Sequence, residues 1–311
     1  MLKKIAIVAV GLFLFNGHAQ AMGEEPATYT KTDAPIVLVN GLFGFDDILG
    51  VDYWYGIVDD LRDNGATVYV VNVQATNSIA ARGEQLIASL EQFRALDGHK
   101  SFNLIGHSYG APTSRYAAAV RPELVSSVST VGGVNKGTDL ADGLYNLDQY
   151  PVIGDAVWAL GDLLGIVIDG ISGQGDATNQ DIKEAARQMT YAGMAEWNQS
   201  FPQGVPTSAC GEGDHQVNGI RYYSWSGVAQ RTNLVDLTDL VVDVTSLFFD
   251  NKDHDGLVPR CSSHLGDVIR DDYYLNHLDE VNQMTGLKSI RSPDPVQIIR
   301  NHANRMKNAG L

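Results

Sequence analysis

The sequence predicts an α/β fold with a mostly parallel central sheet flanked by helices. Three observations predict it. Short apolar runs rich in β-branched residues recur along the chain, each closed by glycine or a turn. Helically spaced segments separate these runs, and strands alternating with helices imply a parallel sheet covered on both faces. Finally, 311 residues with 44 % hydrophobic and 19 % charged side chains hold apolar material for one large core. That mixture excludes a disordered, collagenous or coiled-coil chain.

In chain order, the first segment reads as a removable signal. Lys3 and Lys4 form a short positive stretch, Ile5 to Phe15 an unbroken run of small and apolar residues, and Ala19-Gln20-Ala21 a small-x-small cleavage signature. Eleven apolar residues are too few to cross a bilayer. The alternative, a buried first strand or helix, would not place all three parts of a signal in order. Cleavage after Ala21 leaves a single domain, residues 22–311, expected to be secreted.

Ile36-Val37-Leu38-Val39, between Pro35 and a turn at Gly41, is the first strand. Trp54 to Leu61 forms a short helix closed near Asn64-Gly65, and Val68 to Val73 (VYVVNV) is the second strand. Over 78–97, Ile79, Leu86, Leu90, Phe93 and Leu96 are mostly three or four apart, a helix that Gly98 stops. Phe102 to Ile105 is the third strand. A helix starting near Pro112 follows it, then Val125 to Val131 as the fourth strand. Residues 135–151 are polar and turn-rich. Ile153, Val157, Leu160, Leu164, Ile168 and Ile171 then form an apolar helical stripe flanked by glycines. A helix over 181–199, strands at Tyr222–Trp225 and Val241–Phe249, and a helix over 295–307 complete the chain.

Gly106-His107-Ser108-Tyr109-Gly110 is a G-x-S-x-G pentapeptide between a strand and a helix, the context that a nucleophile elbow requires. The turn forces its central residue into a strained backbone conformation and leaves no room for side chains beside it, hence the two glycines. The alternative is a glycine-rich loop with an incidental serine, which the strand–turn–helix context disfavours.

A serine hydroxyl needs a base to take its proton, and the base needs a carboxylate to hold its tautomer. In α/β-hydrolases the chain order is serine, acid, histidine. Downstream histidines are His215, His254, His264, His277 and His302, and acids are numerous, so order alone leaves the partners open. Asp255, ahead of Gly256-Leu257-Val258-Pro259, and His277, in the polar loop Asn276-His277-Leu278-Asp279-Glu280, occupy fitting positions. Singly, each reads more often as a solvated loop residue, and it is the combination that shifts the balance. The oxyanion hole would use the backbone N–H of Tyr109 and that of Leu42, in the loop Asn40-Gly41-Leu42-Phe43-Gly44; without the serine motif this loop reads as an ordinary β-turn.

With 22 Lys and Arg against 37 Asp and Glu, the formal charge is −15. A surface that acidic repels phosphate backbones and anionic bilayers, so nucleic acid is excluded as a partner, while a neutral oil surface is not. Cys210 and Cys261 are the only cysteines. An oxidising compartment makes a disulfide the expected state, with two buried thiols as the alternative.

The run IVLVNGLFGFDDILGVDYWYGI, the pentapeptide GHSYG, SACGEG, YYSWSG and DGLVPRCSSHLG…NHLDEVNQ together resemble the bacterial family I true lipases, the Pseudomonas-type triacylglycerol lipases, in their smaller subfamily. The resemblance spans about Tyr29 to the C-terminus. It implies an α/β-hydrolase with a mobile helical lid, Ser108 as nucleophile, Asp255 as acid, His277 as base, Leu42 and Tyr109 as oxyanion donors, and a Cys210–Cys261 disulfide. It also implies a structural Ca²⁺ held by the carboxylates of Asp236 and Asp279 and the backbone carbonyls of Gln283 and Leu287. Further implications are passage through the periplasm and a dedicated membrane-anchored chaperone (foldase) during folding. Here Asn40 stands where the family usually has histidine, Tyr109 replaces a frequent histidine, and Ala111 a frequent glycine.

Hard cations take carboxylate and carbonyl oxygens, and Asp279 lies two residues from His277, so a bound ion would fix the histidine loop. Asn251, Asp253, Asp255 and Gly256 match the opening of an EF-hand loop, but position twelve is Ser262. That reading would consume the triad acid and is set aside. The stripe at 153–171 reads as a core helix or as a lid, and the serine motif favours a lid within about 135–175. The expected function is therefore a secreted lipase acting on long-chain acylglycerols at an oil–water interface. A soluble short-chain carboxylesterase and a non-enzymatic binding protein on a hydrolase scaffold are the alternatives.

Overall fold

The computed structural model describes residues 27–42, 47–48, 51–146, 181–233, 235–236 and 238–311. The signal segment and the apolar stripe at 153–171 lie outside the described residues.

The central sheet forms from β1 (Ile36–Val39), β4 (Val68–Val71), β5 (Phe102–His107), β6 (Val125–Val131), β7 (Gln216–Val217), β8 (Ile220–Gly227) and β9 (Asp267–Tyr273). Its order is β4-β1-β5-β6-β8-β7, with β9 also pairing β8. All pairings are parallel except that of the short β7. Strands β2 (Asp47–Ile48) and β3 (Val51–Asp52) make a separate antiparallel pair.

Strand alternation divides the core. Val37 and Val39 face one layer with Leu86, Leu90, Phe102 and Leu104, packed under α2 (Ile79–Asp97) and α3 (Gly110–Val120). Ile36 and Leu38 face the other, with Ile57 and Leu61 of α1 (Ile57–Asp63) and Ile299 and Met306 of α8 (Pro295–Asn308). A sheet buried on both faces needs continuous apolar strands, which is why IVLV carries no polar alternation. Local signals set the helix ends. Ser78 Oγ accepts the Ala81 N–H at 3.2 Å to start α2, and Gly98, at φ +76°, ends it.

Register places the functional loops together. Val39 lies opposite Gly106, and His107 opposite Val131, which in turn lies opposite Trp225. The segments after β1, β5 and β6 therefore leave the sheet at one edge, the carboxyl ends of parallel strands, where such sheets bind ligands.

Four segments differ from the sequence expectation. The helix over 181–199 is two helices, α5 (Ile182–Met189) and α6 (Tyr191–Ser200), because Thr190 is extended and its side chain accepts the Gly193 N–H as a new N-cap. The polar stretch after 135 contains a helix, α4 (Asp139–Asn146). The strand expected at Val241–Phe249 is instead a helix, α7 (Thr238–Thr245), followed by a 3-10 turn at Ser246–Phe248. Its valines suggested a strand, but the chain before it is gathered by Asp239, whose Oδ2 accepts N–H groups from Thr232 (2.7 Å) and Asn233 (2.6 Å). Strand β9 was not expected, because an edge strand carrying Arg270, Asp271 and Asp272 shows no apolar run.

Cys210 and Cys261 are joined, with Cα atoms 4.7 Å apart. The bridge closes a segment of 51 residues, so loop-closure entropy assigns it about 4 kcal/mol. Cys210→Ser/Cys261→Ser is expected to lower the free energy of unfolding by roughly that amount in a urea titration, within the usual spread of 2–5 kcal/mol for native bridges.

Candidate active site

Ser108 sits at the tip of the turn between β5 and α3 with φ +54°, a left-handed conformation rare for serine. Two things hold it there. Its N–H donates to Val131 O at 3.0 Å, and its carbonyl accepts from Ala111 N at 3.1 Å and Val134 N at 3.3 Å. The flanking glycines then become obligatory. A Cβ on Gly106 would lie 2.3 Å from Gly110 O, and one on Gly110 would lie 2.3 Å from Val39 O. Opposite the serine, a Cβ on Gly41 would meet Ser108 Cβ at 2.9 Å, so the loop after β1 approaches Ser108 as closely as backbone can.

Sequence reasoning placed Asp255 and His277 beside this serine from loops far apart in the chain, and the structure brings those two together. His277 Nδ1 and Asp255 Oδ2 are 2.7 Å apart, with both residues buried. The other Asp255 oxygen accepts N–H groups of Leu257 (2.9 Å) and Val258 (2.7 Å). A carboxylate holding two backbone donors and the imidazole has a fixed orientation. His277 Nε2 is buried and has no hydrogen-bond partner among the described residues, the disposition of a base with its proton-accepting nitrogen open. These commitments also dispose of the EF-hand reading, since the Asp255 oxygens are occupied.

The loop after β1, expected to carry an oxyanion donor, is braced from below. Arg82, fully buried, donates to Asn40 O (2.7 Å), Gly41 O (2.9 Å), Gln74 O (2.5 Å) and Ala75 O (3.2 Å). Asn40 takes over a structural role: its Oδ1 accepts the Trp54 indole N–H at 2.7 Å and its Nδ2 donates to Asn72 Oδ1 at 2.9 Å. Leu42 packs its side chain near Ile182 and Ala186 of α5. Tyr109 is fully buried, its hydroxyl donating between Asn77 O (3.1 Å) and Gln188 Oε1 (3.0 Å).

Sequence reasoning missed four residues around this centre: Arg82, Tyr53, His107 and Glu280. Burial and the adjacent His277 push His107 well below the usual histidine range, so its ring is neutral. Burial and the Asp255 charge push Glu280 well above the usual carboxylate range, so it is held as a neutral acid. Its Oε1 accepts the Gly227 N–H. The only signal was proximity in sequence, since His107 stands beside the serine and Glu280 three residues after His277.

The residues expected at a calcium site are partly gathered. Asp236 and Asp279 are buried, as is Asp239. Burial, with the Asp239 and Asp236 charges nearby, pushes the Asp279 carboxyl up to about 6. Buried hard-oxygen donors that repel one another are the chemistry a divalent cation satisfies, so the carboxylates fit one. Gln283 and Leu287 lie on the loop that follows, which turns through left-handed Asn282 and Thr285. Two other groups of His, Asp and Glu bring ligating atoms within 4.8 Å among the described residues, His107–His277–Glu280 and Glu212–His215–Asp267. The first surrounds His277, whose Nδ1 is already held by Asp255. The second lies at the surface, with Asp267 half-buried, and its His215 Nε2 and Glu212 are paired at 2.9 Å.

Residues 34–260 match the model of the alpha/beta hydrolase fold. A triacylglycerol lipase from Vibrio cholerae is 50 % identical over 100 % of both chains. One from Pseudomonas fragi is 42 % identical over 90 % of this chain and 98 % of its own. Among solved structures, lipase 1 from Pelosinus fermentans aligns with a TM-score of 0.57 at 16 % identity, covering 89 % of this chain and 99 % of that one, a likeness of fold.

Proposed function

The chain belongs to the alpha/beta hydrolase fold family and to the triacylglycerol lipases within it, and from that premise we propose that it hydrolyses esters of long-chain acylglycerols by a serine acyl-enzyme route. The observation that carries the mechanism is the buried 2.7 Å His277–Asp255 contact, with His277 Nε2 without a partner among the described residues and the His277 ring 4.5 Å from that of His107, the residue before the strained Ser108. Ser108 Oγ attacks the ester carbonyl while His277 Nε2 takes its proton. Asp255 holds the Nδ1–H tautomer and stabilises the imidazolium. The Leu42 and Tyr109 N–H groups receive the oxyanion. His277 then gives its proton to the leaving alcohol. Water, deprotonated by the same nitrogen, releases the fatty acid and restores the serine.

Support for an oil-surface substrate comes from α7 and the turn after it, where Val241, Val244 and Leu247 are 56 %, 61 % and 83 % exposed. Isolated exposed hydrophobics are ordinary, whereas a group on one element suits an apolar surface. The lid reading for 135–175 rests on the residue pattern, and of that span residues 135–146, which include α4, are described. The deciding experiment compares emulsified long-chain triacylglycerol with a soluble short-chain ester. Activity that rises steeply once substrate forms an emulsion supports a lipase. Turnover confined to the soluble ester makes the protein a carboxylesterase.

Asp236 and Asp279, with the Gln283 and Leu287 carbonyls, would hold a structural Ca²⁺, which would neutralise the buried carboxylates and anchor the loop after His277. Chelation is expected to lower the melting temperature by several degrees, and added Ca²⁺ to restore it, because an ion bound only by the folded state stabilises by mass action. In Asp279→Ala the calcium-dependent part of that shift should vanish. Identical melting curves with and without chelator would remove the site. The signal segment supports export, and a dedicated foldase is the partner the family resemblance implies; refolding yield with and without such a chaperone measures that dependence.

A further inference from the structure

Both polar backbone groups of the catalytic histidine are spoken for. His277 N donates to Asp255 O at 2.9 Å, and His277 O lies 2.9 Å from His107 Nε2. A carbonyl only accepts, so His107 Nε2 carries the hydrogen. The ring is neutral, which leaves Nδ1 bare. Tyr53 Oη, 2.5 Å from that nitrogen, must therefore donate its hydroxyl hydrogen to it. The Tyr53 oxygen in turn accepts the Gly41 N–H at 3.1 Å. Each atom has one consistent role, and the chain runs in one direction from the oxyanion loop to the histidine loop. Tyr53 and His107 are 4 % and 1 % exposed, so water does not compete for these bonds.

We propose that Tyr53 and His107 are positioning residues that fasten the oxyanion loop to the catalytic-histidine loop, through Gly41 N–H to Tyr53 Oη, Tyr53 O–H to His107 Nδ1, and His107 Nε2–H to the His277 carbonyl. The proposal rests on the assignment of Ser108, His277 and the Leu42 oxyanion donor made above. Those loops carry opposite halves of the reaction: one removes and returns the proton, the other receives the developing charge. They come from chain segments more than two hundred residues apart. Nothing in the sheet alone sets their spacing, because Asn40 and His277 both lie beyond the strand ends. The residue preceding the nucleophile is placed to do so, since β5 delivers His107 between them. A link of this kind fixes geometry in the transition state and leaves substrate binding alone.

The test uses Tyr53→Phe, His107→Gln, His107→Asn and the double variant Tyr53→Phe/His107→Gln in the mature protein. Glutamine keeps a donor near the Nε2 position, so it retains the arm to His277 and loses the arm to Tyr53. Asparagine does the reverse. Read on a soluble short-chain ester, each single variant is expected to lose about 10- to 100-fold in kcat with KM unchanged, the cost of misplacing reacting groups slightly. The rate of inactivation by an organophosphonate should fall in parallel. Tyr53→Phe should cost little further once His107→Gln has cut the same link. Tyr53→Phe removes a single oxygen and should fold, so it carries the test if the histidine variants do not. Kcat held within about twofold of the parent in Tyr53→Phe, or losses that multiply independently in the double variant, would overturn the proposal. So would a loss confined to KM or to melting temperature. Failure of the underlying assignment reads differently: Ser108→Ala would then retain turnover and phosphonate would not label Ser108.

Discussion

Ser108→Ala is expected to lower kcat/KM on both emulsified triacylglycerol and soluble ester by on the order of 10⁵- to 10⁶-fold, the cost of removing a triad nucleophile. The residual rate belongs to the oxyanion donors and to binding alone. Folding should be untouched. The backbone at Ser108 is held by Val131, Ala111 and Val134 through main-chain bonds that alanine keeps. Alanine also suffers the same left-handed strain as serine. The melting temperature is therefore expected to stay within about 2 °C of the parent, since the change corresponds to a few tenths of a kcal/mol. Equal melting curves with a collapse in turnover separate a lost nucleophile from a lost fold.

Gly110→Ala is expected to do the opposite, harming structure first and chemistry through it. Its new methyl group would sit 2.3 Å from Val39 O and 2.8 Å from Asn40 O. Both are backbone atoms at the root of the oxyanion loop, so neither can swing aside as a side chain would. Helix α3 must retreat from β1, at a cost of about 1–3 kcal/mol for overpacking. The same retreat separates Ser108 from the Leu42 N–H, and kcat should fall by roughly 100-fold. Gly98→Ala is the matched control. Gly98 has φ +76° with nothing within 4 Å of its added Cβ, so it should lose about 1–2 kcal/mol to left-handed strain and leave kcat unchanged. A urea midpoint and a kcat for each variant decide the matter. Equal kcat losses in the two would show that the close approach of Gly110 to β1 does not matter to the site.

The parts of the fold legible in the sequence were those where local pattern and tertiary role agree. IVLV and FNLIGH are strands because both their faces are buried, VYVV is a β-branched run beside IVLV with its central residues half-buried, and Ser78 and Gly98 bracket α2 because each caps its own helix end. Legibility failed where the decision was made elsewhere in the chain. The valines of α7 read as strand, yet they lie in a helix, whose first turn carries Asp239, the acceptor of the Thr232 and Asn233 N–H groups in the segment before it. β9 was invisible because its pairing partner, not its composition, makes it a strand.

The site divides in the same way. Ser108 announced itself through glycines whose Cβ positions are forbidden by contacts within a few residues and with β1. Asp255 and His277 needed family resemblance to be chosen among five histidines and many acids, since their 2.7 Å contact is a tertiary fact. Arg82 and Tyr53 had no signal. One is a buried cation spent on four carbonyls, the other a buried hydroxyl between an amide and an imidazole, and neither role has a spacing rule. Asn40 illustrates a departure that the structure accommodates. It stands where histidine is usual, but its side chain bonds Trp54 and Asn72, and Arg82 grips its carbonyl.

The central claim is that Ser108, activated by His277 and Asp255, is the group that carries the acyl chain. Its most direct test is active-site labelling with an alkyl p-nitrophenyl phosphonate, followed by intact-mass and peptide-mass measurement. The account predicts one phosphonate per chain, on the peptide containing Ser108, with hydrolytic activity lost in proportion to labelling and no adduct in Ser108→Ala. An enzyme that still hydrolyses ester when Ser108 is fully labelled, or that carries its adduct on another residue, would contradict it.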